Sequence, residues 1–121
     1  YLIRDGKLWQ LTEDHSLLNE HIRAGFIRDS EVPQFQAKNV ITRSVGFERD
    51  ALCDVIERKV LPGDRYMMCS DGLSGLVKPD RLLTMCLEPQ IEDAAGLCID
   101  EAKKNGGDDN ITVILLDAHG R

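Results

Sequence analysis

Hydrophobic and polar positions change their spacing along this chain, and each change marks an element. In YLIRDGKLWQL, β-prone residues flank Arg4-Asp5-Gly6, which predicts a hairpin with strands over 1–3 and 7–11. Leu18 and Ile22 then fall four apart, behind Thr12 or Asp14 as N-cap and ahead of Gly25, and predict a helix near 15–24. Residues 26–38, FIRDSEVPQFQAK, are polar and contain Pro33, so they suit a surface excursion with at most a short helix. NVITRSVG at 39–46 predicts a short strand. CDVIERKVL at 53–61 is rich in β-formers, and Pro62-Gly63-Asp64 turns it into a further strand over 65–70.

Helical spacing returns in the second half. Pro79 opens a helix over 79–87, and Pro89 separates it from a longer one, in which Ile91, Ala94, Ala95, Cys98 and Ala102 share one face. Asn105-Gly106-Gly107 ends that helix, and NITVILLDA at 110–118 has the nearly continuous apolar run of a buried central strand. No repeat, low-complexity segment or internal linker interrupts the series. Because the first strand starts at residue 1, the chain is expected to be a fragment cut inside a β-structure.

Composition narrows the function classes. With 42% hydrophobic and 30% charged residues in 121, the chain is a soluble globular domain or part of one. A net charge of -6 and the lack of any run of basic residues argue against nucleic-acid binding. No apolar run approaches the ~20 residues of a membrane span. The four cysteines have no CxxC spacing and lie in apolar stretches, so they are expected to be buried, reduced thiols in a cytoplasmic protein.

Two acidic stretches carry candidate chemistry. YMMCSDGL places Asp71 at the exit of one predicted strand, and GGDDNITVI places Asp108 and Asp109 at the entrance of another. Were the two strands antiparallel neighbours, ~4.7–4.9 Å apart, both side chains would stand at one edge of the sheet. Paired carboxylates repel unless a cation compensates, and oxygen donors suit hard ions such as Mg²⁺ or Mn²⁺. Taken singly, Ser-Asp-Gly and Gly-Gly-Asp-Asp-Asn are equally good turn chemistry.

Four stretches in a fixed order add to this: YLIRDGKLWQLTEDHS, NVITRSVG, PGDRYMMCSDGLSGLV and GGDDNITVILL. With them the chain resembles the C-terminal half of the bacterial metal-dependent protein phosphatases of type 2C, the PPM family, from its first residues to Leu116. The resemblance implies an α+β fold, part of a four-layer α-β-β-α sandwich with two antiparallel sheets. Residues 1–121 would be the C-terminal portion of one catalytic domain, with a flap over 20–38. It further implies hydrolysis of phosphoserine and phosphothreonine on phosphorylated protein substrates by a metal-activated water at a dinuclear Mg²⁺/Mn²⁺ site.

Carried over by position, Asp71 and Asp109 are metal ligands and act in catalysis through the metal. Asp108 falls where the family varies, and Asn110 is a supporting or turn residue. The family's first Asp-Gly motif, its histidine acid, its phosphate-gripping arginine and its GDSR motif would lie upstream of Tyr1. The partner implied is the missing N-terminal half of the domain, or a second copy of the fragment, which is expected to be inactive alone. The rival reading is a non-catalytic, phosphatase-like interaction or regulatory module. His15 and His21 are six apart, unlike a metal-ligand pair, and are expected at the surface or in local packing. Arg43 is expected in a structural salt bridge or hydrogen bond rather than on a phosphate, and Trp9 packed under the hairpin.

Overall fold

The computed structural model describes residues 1–35, 37, 40–46, 49–50 and 52–119. Asn39 of the expected 39–46 strand and Gln36 and Lys38 of the expected flap lie outside the described residues. The chain divides into two units, Tyr1–Leu11 with Arg58–Arg121, and Thr12–Glu57.

The larger unit is an antiparallel four-stranded sheet with helices on one face. Its elements are β1 (Leu2–Arg4), β2 (Lys7–Trp9), β3 (Arg65–Cys69), α2 (Asp71–Ser74), α3 (Pro79–Cys86), α4 (Ile91–Lys104) and β4 (Val113–Asp117), with strand order β2-β1-β3-β4. The hairpin closes through Asp5 and Gly6, both at positive φ, 52° and 67°. That is the conformation a two-residue turn needs to match strand twist, and Asp-Gly supplies it cheaply.

Alternation along the strands sorts the two faces. Ile3, Leu8, Met67, Cys69, Val113 and Leu115 meet Leu73, Leu82, Met85, Cys86, Cys98 and Ala102 from the helices, forming the core. Ala94, Cys98 and Ala102 on α4 are completely buried, as the four-residue spacing predicts, and their small size lets the helix lie close. On the opposite face, Trp9, Leu2, Tyr66 and Leu116 are in register across all four strands, and Met68 opposes Ile114. Trp9 is half exposed there, rather than packed under the hairpin, because it shares a face with Leu2 and not with the core-facing Leu8.

Two of the ion pairs among the described residues of this unit anchor its strands. Asp64 accepts from Arg4 Nε and Nη2, both at 2.6 Å, from the Leu61 amide at 2.8 Å and from the Tyr66 hydroxyl at 3.3 Å. These donors hold its buried carboxyl at about 2, with the Arg4 hydrogen bonds the largest cause. Arg65 forks onto Asp117 at 2.5 and 2.7 Å, tying β3 to β4, while its Nη1 donates to the carbonyls of Cys86 and Glu88 at 2.8 and 2.6 Å. One side chain thereby fixes the sheet edge and satisfies the open end of α3.

Three strand expectations change. β4 is the last strand in the order rather than a central one, and Ile114 and Leu116 are half exposed, so its apolar run serves two faces of an edge strand. Residues 53–61 form no strand: none of them joins the β2-β1-β3-β4 ladder, and Val55 and Val60 are exposed. β-formers without a ladder partner stay irregular. Cys53, in this stretch, is accordingly exposed rather than buried.

In the smaller unit, α1 (Leu17–Arg23) is capped by Ser16, whose hydroxyl accepts from the Asn19 amide at 3.2 Å. The cap lies after both Thr12 and Asp14 because only Ser16 adopts the extended N-cap conformation one residue before the first helical turn. A short 3-10 helix follows over Asp29–Gln34. The expected 39–46 strand reduces, among the described residues, to isolated bridge positions at Ile41, which pairs with Ser16, and at Val45, both exposed.

Candidate metal centre

The site begins with the pairing of β3 and β4. Their antiparallel register sets Cys69 opposite Val113. The exit of β3 and the entrance of β4 therefore share one end of the sheet, the adjacency that the two acidic stretches require.

Ser70 clips the two loops together. Its amide donates to the Thr112 carbonyl at 3.0 Å, its hydroxyl donates to the Asn110 carbonyl at 3.0 Å, and the Thr112 amide donates back to that hydroxyl at 3.0 Å. Asp71 then opens α2 instead of sitting in a tight turn, because the chain after Ser70 takes helical hydrogen bonds, Ser74 and Gly75 donating to Ser70 and Asp71. Gly72 is at negative φ, so turn flexibility is not its use. A Cβ on it would stand 2.3 Å from the Asn110 carbonyl oxygen and 3.5 Å from the Asp109 Cβ. Only a residue without a side chain lets the two loops come this close.

The second loop is aimed by the end of α4. Gly106 donates to Lys103 and Gly107 to Ala102, at 3.3 and 3.1 Å, with both glycines at positive φ. This paired closure stops the helix and redirects the chain into Asp108 and Asp109. The Asn105 side-chain amide donates to the Leu76 carbonyl at 2.9 Å, tying the same loop to the segment after α2. Asp109 Oδ1 accepts from the Asn110 backbone amide at 2.7 Å.

No protein-family model matches the chain. The serine/threonine phosphatase stp of Listeria monocytogenes is 34% identical over 119 residues, 97% of this chain and 47% of its own length. The serine/threonine protein phosphatase PstP of Mycobacterium tuberculosis is 34% identical over 118 residues, 97% of this chain and 23% of its own. Among solved structures, the PPM Ser-Thr phosphatase MsPP from Mycobacterium smegmatis matches with a TM-score of 0.86 at 33% identity, covering 99% of this chain and 51% of that one. The chain is homologous to the PPM-family serine/threonine phosphatases. It spans about half the length of the curated stp relative.

The catalytic domain of the serine threonine protein phosphatase PstP, solved in complex with two manganese ions, matches with a TM-score of 0.83 at 33% identity, over 99% of this chain and 49% of that one. Oxygen donors suit hard divalent ions such as manganese. Asp71 and Asp109 are exposed hard-oxygen donors, and among the described residues neither is in an ion pair. No group of three or more His, Cys, Asp or Glu side chains able to hold a metal occurs among the described residues.

The other expected residues fall in the smaller unit. His15 Nε2 lies 2.7 Å from Asp54 Oδ2, and Arg43 Nη1 lies 3.2 Å from the same ring nitrogen and 3.3 Å from Asp54 Oδ1. Arg43 is thus in the structural ion pair expected of it. The His21 ring meets Phe26 and Phe35 edge-on at 5.9 and 5.4 Å, which is local packing. Sequence reading passed over Ser70 and the steric need for Gly72; their signal was their place beside Asp71, and their meaning depends on a loop 40 residues away.

An open cavity of about 350 Å³ on the larger unit is lined by Arg4, Lys7, Trp9 and Arg58, among others, and by neither candidate ligand. No helix of the described residues is long and apolar enough to cross a membrane.

Proposed function

We propose that this chain is the C-terminal portion of a metal-dependent phosphatase domain that hydrolyses phosphoserine and phosphothreonine on proteins. The observation that carries the reading is the juxtaposition of Asp71 and Asp109 across the β3/β4 end, within a chain homologous to PPM phosphatases throughout. Asp71 and Asp109 would hold Mg²⁺ or Mn²⁺, which when bound supplies Lewis-acid charge to phosphoryl oxygens and lowers the pKa of a water. Ser70 and Gly72 hold the two loops together, which supports a reading in which both carboxylates serve one site. Asn110, through the Asp109 Oδ1 hydrogen bond, orients the second carboxylate.

The remaining ligands and the groups that grip phosphate would come from the other half of a four-layer sandwich. The row Trp9, Leu2, Tyr66 and Leu116, with Met68 and Ile114, is the face on which that half's sheet would pack. Residues 20–38 are proposed as the flap that meets protein substrates.

The test is manganese affinity and phosphopeptide hydrolysis by the intact phosphatase, with Asp71→Asn and Asp109→Asn. Each change is expected to lower turnover by about 100-fold or more and to weaken Mn²⁺ binding in calorimetry. Wild-type turnover and affinity in both variants would overturn the assignment.

A further inference from the structure

The open cavity on the larger unit has a wall chemistry that the metal centre does not use. It holds about 350 Å³, inside the range of about 300–1,000 Å³ typical of small-molecule sites. Register places its residues. Arg4 pairs with Lys7 and Leu2 with Trp9 across the hairpin, so one face of the sheet offers two cations next to an apolar floor. Arg58, from the irregular stretch before β3, adds a third cation against the single acid Asp5. In a chain of net charge -6, this is a local excess of positive charge.

The cations have donors to spare. Among the described residues neither Lys7 nor Arg58 is in an ion pair, and Arg4, which gives Nε and Nη2 to Asp64 and to the Lys59 carbonyl, keeps Nη1. Trp9, 53% exposed, gives the cavity an indole surface. An indole beside uncommitted cations selects a planar ring that carries an anionic group, because stacking rewards one part and charge-assisted hydrogen bonds the other. An inorganic anion leaves the indole unused, and a neutral ring leaves the cations unused. Asp5 and Gln10 on the same walls add a carboxylate and a carboxamide, groups that pair with sugar hydroxyls and base amino groups.

We propose that this cavity binds a mononucleotide, its base stacked on Trp9 and its phosphate held by Lys7 and Arg58, with Arg4 Nη1 as a further donor. The site goes beyond the phosphatase reading and needs neither Asp71, Asp109 nor a metal. β2 is the first strand in the order, so Trp9 is the outermost member of its apolar row. A sheet packed on Leu2, Tyr66 and Leu116 would leave the β2 edge as the way in.

Trp9 is the only tryptophan, so its emission reports on the cavity. The experiment titrates adenosine monophosphate into the chain in EDTA, which removes phosphate binding through a metal, and follows both Trp9 emission and heat. Adenosine and inorganic phosphate are titrated separately. The expected result is saturable quenching by the nucleotide with matching heat, and affinity at least about ten-fold weaker for either part alone. Lys7 and Arg58 are exposed, so Lys7→Gln combined with Arg58→Gln is expected to leave the melting temperature unchanged and to weaken nucleotide binding by about ten-fold or more. Trp9→Leu, followed by calorimetry, is expected to weaken it to a similar degree. Absence of saturable nucleotide binding, equal affinity for inorganic phosphate, or wild-type nucleotide affinity in the double variant would each overturn the proposal.

Discussion

Gly72 and Asn110 meet backbone to backbone, so closely that a methyl group on the Gly72 Cα would lie 2.3 Å from the Asn110 carbonyl oxygen. The contact joins the residue after one candidate ligand to the residue after the other. Gly72→Ala must push the loops apart, at an expected cost of about 1–3 kcal/mol typical of overpacking. In the intact phosphatase it should also weaken Mn²⁺ binding while both carboxylates remain. Thermal melting and calorimetry check the two effects, and wild-type values in both would show that the close approach is dispensable.

Removing the carboxylates themselves should cost the fold little. Asp71 and Asp109 are exposed and, among the described residues, in no ion pair. Asp71→Asn and Asp109→Asn are each expected to stay within about 0.5 kcal/mol of wild type in denaturant unfolding without metal. A loss of several kcal/mol would assign the pair a structural role instead.

Arg65 is a different case. Arg65→Ala strands Asp117 and frees the Cys86 and Glu88 carbonyls at once, for an expected loss of about 3 kcal/mol. Arg65→Lys keeps the charge but not the fork, and should restore only part of the loss. Urea unfolding of both variants measures this, and full rescue by lysine would rule out the bidentate geometry as the cause.

Asp64 predicts an acid-side pH dependence. Its folded pKa, about 2, lies below the ordinary value of 3.8, chiefly because Arg4 donates to it. The unfolded chain thus binds the proton first as pH falls, and the stabilisation is complete above the unfolded value and lost as pH falls through the folded one. The difference in melting temperature between wild type and Asp64→Asn should be full at neutral pH and shrink between pH 3.8 and about 2. A difference independent of pH across that window would refute the charge-based account.

Local signals alone determined much of this chain. Asp5-Gly6 specified its hairpin because few residues adopt positive φ, and the spacing of Ala94, Cys98 and Ala102 specified the buried face of α4 because helical period is a property of the segment itself. The positions of Asp71 and Asp109 at a strand exit and a strand entrance were equally legible. Tertiary structure decided what each segment found as a partner. β3 took β4 as its neighbour and so brought the loops that carry Asp71 and Asp109 to one end of the sheet; residues 53–61 found no ladder and stayed irregular; β4 ended at an edge. Gly72 shows the division within one residue. Its identity was plain, but its reason is an oxygen of Asn110 far along the chain, and steric exclusion acts only once the two backbones meet.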